Sequence, residues 1–178
     1  TTINDHALDS GNLRMVRIGK NVTIIGDYAF ASCATLDRIF VDEENPNYSS
    51  DARGVLFNKD KTVLIQAPGN IFGSYTVPSS VAKIGDRAFA CCTVLTSVTI
   101  QNGVTAIEEY AFSDCISLQK ICFEGDAPTL SDDVFSSVTA TGYYPENNPT
   151  WTNAAQQNYG GDITWVARDS APQIAASG

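Results

Sequence analysis

The chain has 178 residues, of which 43% are hydrophobic and 17% are charged. This composition excludes a disordered, highly charged tail and is suited to one ordinary domain. Eleven Lys and Arg against twenty Asp and Glu give a formal net charge of −9, which disfavours nucleic acid as a partner. No apolar run approaches the ~18 residues of a membrane helix, and no basic region followed by an apolar stretch opens the chain. We therefore expect neither a membrane span nor a signal peptide in this segment.

A 23-residue internal repeat organises most of the chain. Phe89 and Phe112 are 23 residues apart, as are Cys92 and Cys115, and Phe135 follows Phe112 at the same spacing in a decayed copy. Units of this length cannot bury their own apolar side chains, so they stack as the turns of a solenoid. The predicted repeats cover residues 22–41, 81–100 and 104–123, after a partial repeat at 3–18.

Each unit reads as a turn, a short helical segment and a strand. Phe89, Cys92, Leu95 and Val98 fall three residues apart, which favours a 3₁₀-like or short helical arc. Apolar and polar residues then alternate over 98–100, as in a strand with one buried face. These features predict an α/β repeat solenoid: a short right-handed superhelix with parallel strands and short helical arcs.

An insertion and a terminal cap complete the predicted architecture. Within about 45–76, two β-rich runs at 54–57 and 62–65 flank a short polar stretch and predict a hairpin. The solenoid is expected to span residues 1–126 and a capping region 127–168, with a helix over 151–159 that ends at a left-handed Gly160. Residues 169–178 are expected to form a mobile tail.

The repeat pattern resembles a known family. The motif Ile-Gly-Asp-x-Ala-Phe-x-x-Cys-x-x-Leu-x-x-Ile is similar to the BspA-like leucine-rich repeat, a 23-residue class of bacterial surface and secreted proteins. The stretches 45–65 and 125–165 also resemble an insertion and an ending that are common in that family. The resemblance implies a solenoid that serves adhesion or protein contact, located outside the cell or on its surface, with no catalytic residues to carry over.

The repeated aromatic and sulfur positions are interpreted as core. Phe30, Phe89 and Phe112 are expected to stack inside the solenoid, and Phe135 to continue the column into the cap. No Cys-x-x-Cys pair is present, so buried thiols are favoured over a metal site or a disulfide at the three repeat-position cysteines. Those cysteines are Cys33, Cys92 and Cys115.

Catalytic chemistry has few candidate residues. His6 is the only histidine and is expected to be a solvated surface residue rather than a base. The carboxylates of 42–44, 108–109 and 132–133 leave open a carbohydrate-active enzyme, and those of 42–44 a calcium site. All are expected to lie at turns or in the polar arcs of coils, where charge keeps the surface hydrated. We therefore predict no enzyme, no cofactor and no metal.

The expected function is a non-catalytic protein-interaction or adhesion module of a secreted or cell-surface bacterial protein. Its partner is expected to be a protein ligand such as a host matrix or cell-surface protein, and its oligomeric state is left open. The alternatives are a structural spacer or capping domain beside a catalytic or anchoring domain, and the carbohydrate-active enzyme.

The candidate partner-binding face follows from strand alternation. If Val16, Ile39, Val98 and Ile121 point inward, their neighbours point outward. Phe40 beside arginine then predicts a contact for an acidic or mixed-polarity ligand, or else Phe40 packs under the inserted hairpin. Cys122 on this face is expected to be the first thiol alkylated. The predicted outward set is Met15, Arg17, Arg38, Phe40, Ser97, Thr99, Lys120 and Cys122.

Overall fold

The structure, a computed structural model, describes residues 1–8, 12–31 and 33–169 as a stack of similar turns. Each regular turn contributes a short strand, an irregular arc and a longer strand. The long strands are β2 (Met15–Ile18), β4 (Arg38–Val41), β8 (Gly73–Thr76), β10 (Leu95–Ile100), β12 (Lys120–Phe123), β14 (Thr139–Pro145) and β15 (Asp162–Arg168). The short strands are β1 (Thr2–Ile3), β3 (Ile24–Ile25), β9 (Lys83–Ile84), β11 (Ala106–Ile107) and β13 (Thr129–Leu130). Three further strands, β5 (Tyr48–Ser50), β6 (Leu56–Asn58) and β7 (Val63–Gln66), lie in the insertion.

Parallel pairing between successive turns builds two ladders along the solenoid, as predicted. Strands β8, β10, β12, β14 and β15 form one sheet, and β2 pairs with β4 in another. The short strands β9, β11 and β13 continue a ladder that begins at β7, whereas β1 pairs with β3. Both ladders are therefore interrupted between the second and third turns, where the insertion enters.

The insertion is partly built into the solenoid. Strands β6 and β7 pair antiparallel at the place where the hairpin is predicted, and β5 adds a third antiparallel strand that the sequence analysis missed. Strand β7 also pairs parallel with β9, with Leu64 opposite Ile84, so it serves as the short strand of the third turn.

The strand alternation places the core as predicted. Val16, Ile18, Ile39, Val98, Ile100, Ile121 and Phe123 are at most 8% exposed, and Val41 is half-buried. The rings of Phe89 and Phe112 stack with centroids 4.8 Å apart, and Phe112 and Phe135 stack at 5.8 Å.

Phe30 does not join that column, contrary to the prediction. It belongs to a smaller core with Val16, Ile18 and Leu36, whereas the other three phenylalanines belong to the main core. The insertion separates the two: Leu56 of β6 packs into the smaller core and the adjacent Phe57 into the main one. Because successive side chains of a strand point to opposite faces, β6 lies between the two cores and separates them.

The repeat-position cysteines are core residues, as predicted. Cys33, Cys92 and Cys115 are at most 3% exposed, and each thiol lies beside a backbone carbonyl oxygen. The sulfur of Cys33 is 2.9 Å from the Leu8 oxygen, and that of Cys115 is 3.0 Å from the Phe89 oxygen. Burial raises the pKa of Cys92 well above its ordinary value. A small apolar residue that can also donate a weak hydrogen bond therefore suits this position.

The arcs are not helical, so the predicted α/β class with 3₁₀ or short helical arcs is wrong; no helix occurs in 1–8, 12–31 or 33–169. The N–H groups of Arg87, Phe89 and Cys91 donate to carbonyls of the next turn, while those of the residues between them donate three residues back. Arg87 and Cys91 have positive φ angles of 51° and 59°, and such residues end any helical run.

The C-terminal cap is also built from turns rather than the predicted helix. Gly160 is left-handed as expected, with φ of 81°. The Thr150 hydroxyl accepts the Ala127 N–H at 2.8 Å, so it ties the cap to the preceding turn instead of capping a helix. Trp151 is 6% exposed and stacks on Tyr144 over the end of the core. Of the expected mobile tail, residues 170–178 lie outside the described residues.

A loop at 50–55 occupies the gap between β4 and β8. The N–H of Ile39 donates to the Gly54 carbonyl at 3.1 Å, so the exposed edge of β4 is paired by the loop. The Asp51 carboxylate accepts the N–H groups of Arg53 and Val55 at 2.9 Å and, through its other oxygen, the Tyr75 hydroxyl at 2.7 Å. Burial, and then the negative charge of Asp51, raise the pKa of Tyr75.

Replacing Phe112 by Ala should destabilise the protein by about 3–5 kcal/mol, because the ring is fully buried and stacked on both faces. Urea unfolding measures the change. Phe72→Ala is the matched control: Phe72 is 72% exposed, so the same truncation should cost less than about 1 kcal/mol. Similar losses for the two variants would contradict the stacked column.

The buried Tyr75 should make stability fall at alkaline pH. A pKa raised in the folded state means that the contribution is complete below the unfolded tyrosine pKa of about 10 and is lost as pH rises above it. Tyr75→Phe should lower the melting temperature at neutral pH, because Asp51 loses a donor, and should flatten the decline above about pH 10. Asp51→Asn should keep part of the decline, because burial is the larger cause. Parallel pH profiles for wild type and Tyr75→Phe would contradict this role.

Candidate functional site

The long-strand ladders carry the predicted outward face. Met15 lies opposite Arg38 and Arg17 opposite Phe40 in the β2–β4 pair. In the main sheet, Ser97 lies opposite Lys120 and Thr99 opposite Cys122. The structure therefore brings the eight predicted residues together in two groups of four, which the loop at 50–55 separates.

The first group, on β2 and β4, combines positive charge with an aromatic ring. The Arg17 and Arg38 guanidinium carbons lie 5.2 Å and 5.9 Å from the centroid of the Phe40 ring, so two cations lie within cation–π distance of a half-buried ring. Met15 beside them is 53% exposed. Across the described ranges, neither arginine has a carboxylate within ion-pair distance. Both charges are therefore available to a ligand.

Two residues that the sequence analysis missed extend this group. The Arg53 guanidinium lies 5.3 Å from the Phe72 ring centroid and donates to the Phe72 and Ser74 carbonyls at 2.7 Å and 3.2 Å. Arg38, Arg53 and Phe72 also line a common pocket of about 180 Å³. No repeat position signals Arg53, because it belongs to the insertion. We call Met15, Arg17, Arg38, Phe40, Arg53 and Phe72 the basic-aromatic patch.

The second group is flatter and mostly polar. Strand β14 widens it, because Thr141 and Tyr143 lie opposite Lys120 and Cys122, and the Lys120 ammonium is 5.3 Å from the Tyr143 ring centroid. Cys122 lies on the face in register but is only 7% exposed, so the expectation that its thiol is the most accessible is wrong. Cys91, in an arc, is the more exposed thiol. The contribution of β14 could not be predicted, because the repeat pattern is weak in the copy that contains Phe135.

The opposite edge of the solenoid is acidic. Asp86, Glu108, Glu109 and Asp132, from three successive turns, line a shallow depression of about 470 Å³. The negative charges of Asp133 and Glu109 raise the pKa of Tyr110 on this edge. The molecule is thus polarised, with unpaired arginines on the long-strand side and carboxylates at the turns after the short strands.

The other candidate residues lie at turns. His6 is exposed, and its ring centroid is 5.1 Å from that of Tyr28. Glu44 forms an ion pair with Lys20 at 2.7 Å, and Glu108 one with Lys83 at 2.8 Å. Within the part of the chain that the structure describes, no group of three or more His, Cys, Asp or Glu side chains is placed to hold a metal ion. That part also contains no helix with the length and apolar character needed to cross a membrane.

Three solved structures share the fold. The pneumococcal vaccine antigen PcpA is 23% identical with a TM-score of 0.66, over 76% of this chain and 40% of its own. A leucine-rich cell surface protein from Faecalibacterium prausnitzii is 25% identical with a TM-score of 0.66, over 97% and 52%. A leucine-rich repeat protein from Eubacterium ventriosum is 21% identical with a TM-score of 0.54, over 86% and 49%. The match thus spans about half or less of each of these chains.

No curated protein sequence matches the chain. The sequence model of the BspA type leucine-rich repeat region matches in six copies, over residues 1–53 and 69–150. These ranges contain most of the chain and leave out only the middle of the insertion and the end of the cap. The chain therefore belongs to the BspA type leucine-rich repeat family.

Proposed function

We propose that the chain is a protein-interaction module of a secreted or surface-attached bacterial protein, and that it binds a protein ligand through the outward face of its long strands. The basic-aromatic patch is the observation that carries this proposal. Family membership supports it, because repeats of this type are typically surface protein-interaction modules. One structural neighbour is itself described as a cell surface protein.

The chemistry of the patch favours an acidic or mixed-polarity ligand. On a chain with net charge −9, Arg17 and Arg38 form a local positive site with no carboxylate partner among the residues that the structure describes. Arginine beside an exposed aromatic ring is a frequent hot-spot combination, because the planar guanidinium can stack and also pair with a carboxylate. Complementary charge would speed association and make it sensitive to salt.

The inserted strands provide a second contact region. Arg53 joins the patch from the loop at 50–55, and the tip of the hairpin at 58–61 carries two lysines. A ligand laid along the patch would therefore meet both the repeats and the insertion. A host matrix or cell-surface protein with an acidic segment fits this description.

Neutralising the two unpaired arginines should weaken ligand binding at least about tenfold while leaving the fold intact. The variant Arg17→Gln with Arg38→Gln removes both charges beside Phe40, and loss of a hot-spot contact costs about 2 kcal/mol or more. Purified protein is tested by biolayer interferometry against a panel of matrix and cell-surface proteins, with melting curves recorded for each variant.

Lys20→Gln with Arg168→Gln is the matched control, because it removes two positive charges that lie outside the patch and are paired with Glu44 and Glu124. It should leave affinity unchanged, and raised salt should weaken the wild type towards the double variant. Equal affinity of wild type and the double variant for a bound ligand would move the contact surface elsewhere. Absence of binding across the panel would favour the spacer role.

A further inference from the structure

The third turn leaves a cleft on the edge of the solenoid opposite the basic-aromatic patch. Between register-matched positions, its arc runs nine residues from Leu64 to Gly73, whereas the next arc runs eleven from Ile84 to Leu95. The shorter arc packs tightly on the second turn at Gly69, where a Cβ would collide with the Cys33 carbonyl. A cleft of about 310 Å³ lies at this level, lined mainly by residues of the second, third and fourth turns.

Arg87 of the fourth turn contacts the second turn directly, at the level where the arc of the third turn is shorter. Its guanidinium carbon lies 4.3 Å from the Tyr28 ring centroid and 4.7 Å from that of Tyr110. The Tyr28 hydroxyl donates to Asp86 at 3.0 Å across the same gap. These contacts hold the second and fourth turns at a fixed separation, so the cleft is a built feature of the fold.

A largely buried glutamine, Gln66, lines this cleft. Gln66 is 7% exposed, and its Nε2 donates to the carbonyls of Ala67 and Ala88 at 3.1 Å and 3.4 Å, which fixes the orientation of the amide. Its Oε1 accepts no hydrogen bond from the described residues. Because every fully buried side-chain oxygen and nitrogen there has a partner, Oε1 must reach solvent. Because Gln66 lines the cleft, Oε1 is an acceptor that the cleft offers to a ligand.

The charged groups of the cleft also favour a ligand that donates hydrogen bonds. Three carboxylates line it, those of Asp27, Asp86 and Glu108, against two cations, the Lys83 ammonium in the lining and the Arg87 guanidinium on the Tyr28 ring. Lys83 is engaged with Glu108 at 2.8 Å, and Asp86 faces Arg87 at 3.6 Å. Asp27 has no cation within ion-pair distance in the described part of the chain.

The remaining wall is apolar. Ile25, Val63 and Ile65 line the cleft beside the acceptors. A complementary ligand therefore needs a positively charged donor group and a short hydrocarbon stem. A primary ammonium has three N–H donors and no acceptor, so it matches this lining. An anion would meet the net negative charge of the cleft.

We propose that this cleft binds a primary alkylammonium group, supplied either by a lysine side chain of a partner protein or by a free amine. The ammonium lies against Gln66 Oε1 and the carboxylate of Asp27, and the stem covers Ile25 and Ile65. This site is independent of the basic-aromatic patch, because it lies on the other edge of the solenoid and takes the opposite charge.

Titration of the ¹⁵N-labelled protein with n-butylammonium chloride at neutral pH tests the proposal. We expect saturable shifts of the backbone amide signals of Gly26, Asp27 and Gly85 and of the Gln66 side-chain amide. Butanol, the uncharged analogue of the same shape, should give no saturable change at these signals. Raising the salt concentration about tenfold should weaken the ammonium response, because exposed charges are screened.

Two substitutions locate the ammonium. Asp27→Asn should weaken n-butylammonium binding about fivefold or more, whereas Asp132→Asn, an equal charge change in the shallow acidic depression, should leave it unchanged. Gln66→Met should weaken binding by removing the acceptor. If Gln66→Met does not fold, because two carbonyls lose their donor, the comparison of Asp27→Asn with Asp132→Asn decides.

The outcomes separate the proposal from its rivals. Equal responses to butanol and n-butylammonium, equal effects of the Asp27 and Asp132 substitutions, or saturation by methyl glucoside without an ammonium response would each overturn it. Tighter binding of N-acetyl-lysine methylamide than of n-butylammonium would identify a partner's lysine as the source. Binding of n-butylammonium that is as tight or tighter would identify a free amine.

Discussion

The structure depends on how each arc divides its backbone N–H groups. In the regular turns, alternate N–H groups bond within the arc and to the next turn, as for Ala88 and Phe89, so such a turn both closes on itself and holds its neighbour. Buried backbone polar groups require partners. In a helix the N–H groups bond to carbonyls of the same segment, so they would not join one turn to the next. The left-handed residues at Arg87 and Cys91 and the thiols of the cysteine column follow from this division.

The insertion interrupts this pattern, and both candidate sites lie at the interruption. On the long-strand side, the loop at 50–55 pairs the edge of β4 and brings Arg53 to the patch. On the opposite edge, the shortened arc leaves a cleft that Arg87 and Tyr28 span. Regular repeats provide stability, whereas the irregular turn provides recesses with unpaired charges and acceptors. Variation in an insertion could thus change a binding surface without altering the repeats.

Much of the fold could be predicted from the 23-residue spacing, because a stacked core demands the same residue at the same depth in every turn. The inward strand residues, the cysteine column and the stack from Phe89 to Phe135 follow from it. The arcs could not, because three-residue apolar spacing also fits a chain of turns, and left-handed Arg87 and Tyr110 have side chains that rarely adopt that conformation.

The candidate face could be predicted only for residues whose direction follows from alternation within their own strand. Alternation placed Arg17, Arg38 and Phe40 correctly on β2 and β4, whose pairing then set their mutual contacts. Arg53 and Phe72 reach the same patch from residues without a repeat position. The burial of Cys122 depends on its surroundings in the folded sheet rather than on its own strand. The cleft depends on the length of one arc relative to its neighbour, which becomes meaningful only once the register is known.

The separation of the two cores by β6 has a consequence for the cooperativity of unfolding. In a repeat protein, cooperativity is transmitted through contacts between adjacent turns. Here Leu56 and Phe57 send neighbouring side chains into separate cores, and both strand ladders are interrupted at the same level. The first two turns therefore have a smaller core of their own, joined to the rest through the insertion and through the contacts of Tyr28 with Arg87 and Asp86. We therefore expect spontaneous opening to begin at this boundary, where both strand ladders are interrupted.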